Sequence, residues 1–303
     1  MKVLFTALIL LFPLFGRSQV TDDFSDGDFT SNPVWNGTTG TYIVNTGKEL
    51  QLSNTVAATS YLSTAHNLSS LDNKQWELLV RQTFASSSSN FGRVYLTASS
   101  SDLSTNPDGF YLQFGEAGST DAVRLFKSVS GVSTPICASP DGQIAASFAA
   151  RVKVVRDNAG LWKLYVDPSG GTNYGSPYTG TDAAALTGTH FGVLQTYTVS
   201  NATKFYYDDI YVGAEILDTQ APSLVSSTAV TNSQVDLLFS EPVAGATLLQ
   251  TNNYTLNPAV SVSNVSVDGS NGALLHLLLT TPLTNGQNYA ITVASISDAA
   301  GNT

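Results

Sequence analysis

Cysteine is nearly absent: Cys137 stands alone in 303 residues, so no internal disulfide can staple the fold. Its setting, Pro135-Ile136-Cys137-Ala138, is apolar and suits a small buried hydrophobe. Charge is scarce as well. Only 12% of residues are Asp, Glu, Lys or Arg, against 42% hydrophobic. Such a chain can build a core and must cover its surface with Ser, Thr, Asn and Gly; it is too apolar for intrinsic disorder. Basic residues are the scarcest charges, with 13 Lys and Arg against 23 Asp and Glu and a net charge of -10. That balance repels nucleic-acid phosphates and anionic lipid heads, and favours neutral ligands or cations.

Long hydrophobic runs are missing except at the start. Lys2 precedes an apolar run from Val3 to Phe15, broken by Thr6 and Pro13, and Gly16-Arg17-Ser18 places small residues before Gln19. This is the pattern of a signal peptide over residues 1–18, cleaved before Gln19. A membrane span needs about 20 apolar residues, and this run is shorter and holds a proline. The expectation is a secreted or cell-surface chain with no membrane span of its own. Loss of Lys2 and Arg17 would leave 11 basic against 23 acidic residues, a net charge of -12.

Beyond the leader, helical periodicity gives way to period-2 alternation. Trp76, Leu78, Val80 and Phe84 share one face of a strand, and Glu77, Arg81 and Thr83 the other. Phe91, Arg93, Tyr95 and Thr97 alternate with Val94 and Leu96. Further alternating runs are separated by turn sequences such as Asn106-Pro107-Asp108-Gly109 and Asp157-Asn158-Ala159-Gly160. Ten or more strands at this spacing predict a two-sheet sandwich. Near Gly213–Pro222 the composition turns polar and the strand spacing shortens, which predicts a linker at 215–222. About seven short strands then fit an immunoglobulin-sized sandwich. The fold class expected is all-β, a larger sandwich over 19–214 and a smaller one over 223–303.

Two resemblances sharpen this. Asp22-Asp23-Phe24-Ser25-Asp26-Gly27-Asp28-Phe29 with Trp35, and Phe205-Tyr206-Tyr207-Asp208-Asp209-Ile210-Tyr211-Val212, resemble the first and last strands of concanavalin-A-like (laminin-G-like) jelly-roll modules of bacterial surface proteins. The hairpin Trp162–Pro168 matches one that recurs in such modules. Val235 to Val243, Asn253-Tyr254-Thr255-Leu256, Tyr289 to Val293 and Asp298 to Thr303 resemble the SbsA-type Ig-like domain of surface-layer and adhesin proteins. In that family a final strand follows the Asp-x-x-Gly-Asn turn, whereas this sequence stops at the turn. The resemblance therefore implies a domain truncated at its C-terminal strand and further domains of the same polypeptide.

Catalytic patterns are thin. Some concanavalin-A-like hydrolases use a Glu-x-Asp-x-Glu strand to place two carboxylates together. Here the five glutamates, Glu49, Glu77, Glu116, Glu215 and Glu241, are all far apart in sequence. His66, His190 and His276 share no local motif with one another or with Cys137, and no Gly-x-Ser-x-Gly elbow occurs. The chain is expected not to be an enzyme.

Two features point to binding. Sugar rings stack on exposed aromatic faces. Tyr174 and Tyr178 lie in a loop of turn residues, and Trp35 sits beside Asn36-Gly37, so these three are the candidate ligand contacts. Asp22, Asp23, Asp26 and Asp28 cluster on the first strand and Asp208 and Asp209 on the last. Jelly-roll topology makes those strands neighbours, so the six carboxylates are candidate ligands for a structural calcium ion. Three functions follow from these features: a non-catalytic module binding extracellular polysaccharide or surface glycan, a structural spacer projecting further domains, or a divergent extracellular glycan hydrolase.

Overall fold

The computed structural model describes residues 19–303 apart from 119, 185, 246 and 299; the expected signal peptide lies outside the described residues. The chain divides into two compact units, one ending at Glu215 and one beginning at Ile216.

The first unit holds β1 (Val20–Asp22), β2 (Asn36–Gly37), β3 (Tyr42–Val44), β4 (Leu50–Leu52), β5 (Ala58–Ala65), β6 (Lys74–Gln82), β7 (Phe91–Ala98), β8 (Gly109–Phe114), β9 (Val123–Val129), β10 (Val132–Ala138), β11 (Phe148–Arg156), β12 (Leu161–Asp167), β13 (Tyr178–Thr181), β14 (His190–Tyr197) and β15 (Phe205–Ala214). They form two antiparallel sheets. One runs β13-β12-β11-β6-β15-β4-β3 with β1 added on β15, and the other runs β10-β9-β8-β7-β14-β5-β2. First and last strands pair, with Val20 opposite Val212 and Asp22 opposite Ile210.

Alternation decides which side chains meet between the sheets. Trp76, Leu78 and Val80 of β6 face Val94, Leu96, Phe110 and Leu112 of the other sheet within one buried cluster. At its centre Trp76 stacks on Trp162 at 5.8 Å, and Phe110 lies 4.5 Å from Trp162. Each such ring contributes about 1.5–3 kcal/mol by leaving water. Their indole N–H groups are satisfied: Trp76 Nε1 donates to the Leu96 carbonyl at 2.8 Å and Trp162 Nε1 to that of Asp182 at 3.3 Å. One buried polar bridge also crosses the sandwich. The Tyr42 hydroxyl donates to Gln195 Oε1, and Gln195 Nε2 donates to the Tyr207 hydroxyl at 2.7 Å. Gln195 comes from one sheet and both tyrosines from the other, so this bridge fixes their relative register.

The second unit holds β16 (Leu224–Thr231), β17 (Gln234–Phe239), β18 (Tyr254–Asn257), β19 (Val262–Val267), β20 (Leu274–Leu279) and β21 (Ala290–Val293). Four of them form a sheet ordered β16-β17-β20-β19, and β18 pairs with β21. Among the described residues, six strands stand where about seven were expected. Its core is Leu237, Phe239, Tyr254, Leu256, Leu275 and Leu277 with their neighbours. β16 differs from the rest because all eight of its residues are exposed. An open groove of about 650 Å³ separates its inward-facing Ser227, Ala229 and Thr231 from Tyr289 and Ile291.

Candidate functional site

A sheet face turned to solvent normally reads polar at every second residue. The outer face of the seven-stranded sheet does not. Register brings Tyr95, Tyr111 and Phe126 into one row across β7, β8 and β9. The Tyr95 and Tyr111 rings lie 5.3 Å apart, and Phe126 stacks on Tyr111 at 5.3 Å with an 18° interplanar angle. Tyr95, Tyr111, Leu194, Ala98 and Leu103 form a second buried apolar cluster, with Tyr61 and Phe126 half-buried against it. The face therefore carries a small core of its own.

The loop between β7 and β8 covers one end of that cluster. Its short 3-10 turn, Leu103–Thr105, is capped by Asp102, whose carboxylate accepts the Ser104 N–H at 3.0 Å. The turn presses Leu103 over Gly192; a Cβ there would lie 2.4 Å from the Leu62 carbonyl oxygen as well as 2.7 Å from Leu103 Cδ1, so only glycine fits. The Ser63 hydroxyl donates to the Ser101 carbonyl at 2.8 Å, and the Tyr95 hydroxyl to Asn106 Oδ1 at 3.3 Å. An open pocket of about 560 Å³ adjoins the loop, bounded by Val34, Ser63, Ser101 and His190.

The other end of the face stays open. Tyr61, Leu194, Arg93, Gln113 and Arg124 follow one another across five strands. The Arg93 guanidinium lies over Tyr111, 4.6 Å from its ring centre, and 5.6 Å from that of Phe91. Arg124 is committed to Glu116 at 2.8 Å and Asp141 at 2.7 Å. Half-exposed aromatic rings, amides and an arginine on one rigid sheet supply stacking surfaces and hydrogen-bond donors together. That combination suits a ligand with apolar ring faces and polar edges.

The residues named from sequence fall elsewhere. Trp35 is corrected. It is 2% exposed, packed against Phe24 at 6.2 Å and Phe191 at 6.0 Å, with Nε1 donating to Asp22 Oδ2 at 2.8 Å. Its turn-like neighbours Asn36-Gly37 are strand β2, paired to β5, and the ring swings inward with no face left for a sugar. Tyr174 lies over the outer face of the other sheet. Its hydroxyl donates to Glu77 Oε1 at 2.8 Å, its ring meets Tyr165 at 6.0 Å, and Lys153 Nζ sits 4.6 Å from both rings. Burial, and then Glu77, push its hydroxyl pKa up. Tyr178 is on edge strand β13, half-buried against the main core.

Asp22 ends β1, Asp23, Asp26 and Asp28 follow in its loop, and Asp208 and Asp209 lie on β15; the six do not form one cluster. Asp28 is held by Ser31 and Thr30, which lower its carboxyl to about 2, and Asp209 pairs with Arg151. Asp22, Asp23 and Asp26 line one open pocket of about 260 Å³ with Asn32. Each also accepts a backbone N–H two residues on, from Phe24, Ser25 and Asp28. Burial raises Asp22 to about 6 despite its bonds to Trp35 and Phe24. Among the described residues, three carboxylates with oxygens within 4.8 Å of one another occur in the second unit, at Asp218, Glu241 and Asp298. Asn302 holds Asp298 there, donating to Oδ2 at 2.7 Å and Oδ1 at 2.9 Å.

Sequence reading missed the outer-face row. The alternation of Phe91, Arg93 and Tyr95 was visible, but Val94 and Leu96 between them made either face look internal. The available signal was a strand apolar on both faces inside an antiparallel sandwich.

Comparison with known proteins agrees with the two-part architecture. No curated protein matches the chain. Among solved structures, the chain is similar to the exoplasmic/lumenal domain of VIP36 in its Ca2+/Man2-bound form, at 11% identity over 67% of this chain and 90% of that one, with a TM-score of 0.42. It is similar to lectin UEA-II complexed with galactose, at 10% identity over 65% and 98% with a TM-score of 0.41. A bifunctional GH43-CE protein of Bacteroides eggerthii matches at 10% identity over 67% and 27%, with a TM-score of 0.40. Residues 218–303 match the family of bacterial Ig-like domains, so the all-β chain is a two-sheet sandwich followed by a unit similar to bacterial Ig-like domains.

Proposed function

We propose that this is a non-catalytic extracellular module that binds glycan on the outer face of its seven-stranded sheet. The observation that carries the reading is that half-exposed Phe126, Phe91 and Tyr61 share the outer sheet face with Arg93, over the buried pair Tyr95 and Tyr111. Asp102 caps the 3-10 turn and meets the Tyr61 hydroxyl, and Glu116 and Asp141 are tied to Arg124, so none of the three is presented as half of an acid and base pair. Export fits the leader-like first eighteen residues. Strand β1 begins at Val20, directly after the expected cleavage point, and no described helix is long and apolar enough to cross a membrane.

Binding to a polysaccharide panel by affinity electrophoresis tests the face. Tyr61→Ala and Phe126→Ala should each weaken binding about 5- to 10-fold, the scale of one stacked ring. Tyr174→Ala, on the other sheet, should leave it unchanged. Loss on Tyr174→Ala or Tyr178→Ala instead would move the site to the loop first marked from sequence. Loss on neither, or hydrolysis of the polymer, would favour the spacer or the hydrolase.

The reading includes a structural calcium ion held by Asp22, Asp23 and Asp26. They share a pocket, and a cation there would offset their mutual repulsion. Asp23 and Asp26 are exposed, and each has one oxygen engaged by a turn N–H. Calcium at a hundred times its dissociation constant should then add about 2.7 kcal/mol to the stability of the first unit. An unchanged melting temperature in calcium and in chelator rejects the ion.

A further inference from the structure

Arg93 differs from every other arginine among the described residues. Arg81 pairs with Glu49, Arg124 with Glu116 and Asp141, Arg151 with Asp209 and Arg156 with Asp72, whereas Arg93 pairs with no carboxylate. An unpaired arginine is unexpected in a chain with 23 acidic and 13 basic residues. Its surroundings are neutral. Nε donates to Gln113 Oε1 at 3.2 Å and Nη1 to Asn106 Oδ1 at 3.2 Å. These two amide oxygens hold the guanidinium plane over Tyr111, with Phe91 beside it, and Nη2 donates to neither. The side chain is half-buried on a central strand, with its neighbours on both sides fixed by sheet register. A guanidinium fixed in this way is preorganised: little rotamer freedom remains to be lost when a ligand engages it.

We propose that the ligand of this face is a polysaccharide containing uronic acid, with one sugar carboxylate received by the outward edge of Arg93 and the ring faces resting on Phe91 and Phe126. The proposal rests on the glycan-binding reading above and names the class of sugar. A planar carboxylate matches the planar guanidinium fork and accepts two N–H groups side by side. Neutral sugars would stack on the rings but leave the cation without a counter-charge. Arg124 lies in the same row two strands away, about 10 Å from Arg93 at normal strand spacing. It is already neutralised by Glu116 and Asp141. The face therefore offers one carboxylate position rather than a general basic surface. That is how an acidic protein can select an anionic sugar without becoming a non-specific polyanion binder.

The test uses the whole chain and compares polygalacturonate, its fully methyl-esterified form and dextran sulfate, with wild type, Arg93→Gln and Arg93→Lys. Melting temperatures confirm that the variants fold. Wild type should bind polygalacturonate at least about tenfold more tightly than the ester, about 1.4 kcal/mol. Arg93→Gln should lose that preference, binding acid and ester equally, and Arg93→Lys should retain only part of it. Equal affinity for acid and ester, or a preference that survives Arg93→Gln, overturns the proposal while the glycan-binding reading stands. Dextran sulfate binding as tightly as polygalacturonate overturns the choice of carboxylate. If neither form binds wild type, the proposal falls; the broader reading falls with it only if the whole polysaccharide panel is also negative.

Discussion

Burial raises the Asp208 carboxyl to about 6, and the charges of Asp209, Glu49 and Asp23 push the same way. A carboxyl raised in the folded state adds stability that is complete below its ordinary range near 3.8 and is lost as pH rises through 6. Asp208 therefore costs the first unit stability at neutral pH. Its one hydrogen bond, accepted by Oδ1 from the Asp209 N–H at 2.8 Å, survives replacement by asparagine. Asp208→Asn should melt higher than wild type at pH 7, and the difference should vanish by about pH 4, followed by thermal unfolding across that range. A constant difference would mean that charge is not the cause. His276 behaves in the opposite part of the scale. Asp236 and Asp268 accept from its two ring nitrogens and raise its pKa. The second unit should therefore lose stability as pH rises above the ordinary histidine range near 6.5, and His276→Gln should flatten that slope; a slope unchanged in the variant would assign it to other groups.

Strands were the part of this structure most legible in the sequence, because period-2 alternation depends only on which side chains enter the core. Trp76 and Trp162 read as internal from their neighbours and are fully buried. What alternation cannot reveal is a strand too short to show it. Trp35 looked like a loop residue because Asn36-Gly37 resembles a turn, yet those two residues pair with Ser63 and Leu62. Nor can alternation tell the inner face from an outer face that is also apolar, which hid Tyr95, Tyr111 and Phe126. The acidic triplet Asp218, Glu241 and Asp298 was hidden by separation along the chain. Two substitutions test the element-scale account. Trp162→Ala removes the centre of the main core and should cost about 3–5 kcal/mol. Leu103→Ala, which unseats the β7–β8 loop from the outer face, should cost about 2–5 kcal/mol. The loop amides should then exchange hydrogen faster while β6 and β11 keep their protection. Equal acceleration everywhere would show that the outer cluster and main core open as one unit.

At the scale of the molecule, charge is divided unequally. All eleven basic residues of the described chain lie in the first unit, and residues 216–303 contain no lysine or arginine. The second unit is purely acidic apart from His276, which leaves the first as the only place where an anionic ligand finds a cation. A polar stretch follows Val212, and the chain divides into its two compact units after Glu215; the outer face was not legible, because it depends on register between strands as far apart in sequence as those of Tyr61 and Leu194. The central claim is that this face, and not the Tyr174 loop or the second unit, receives the polysaccharide. Hydrogen exchange of the whole chain with and without its best-binding polymer tests that claim most directly. The account predicts slowed exchange confined to the strands of that face, β5, β14, β7, β8 and β9, and the β7–β8 loop. Protection of the 172–181 segment or of residues 216–303, with β7 to β9 unchanged, would contradict it.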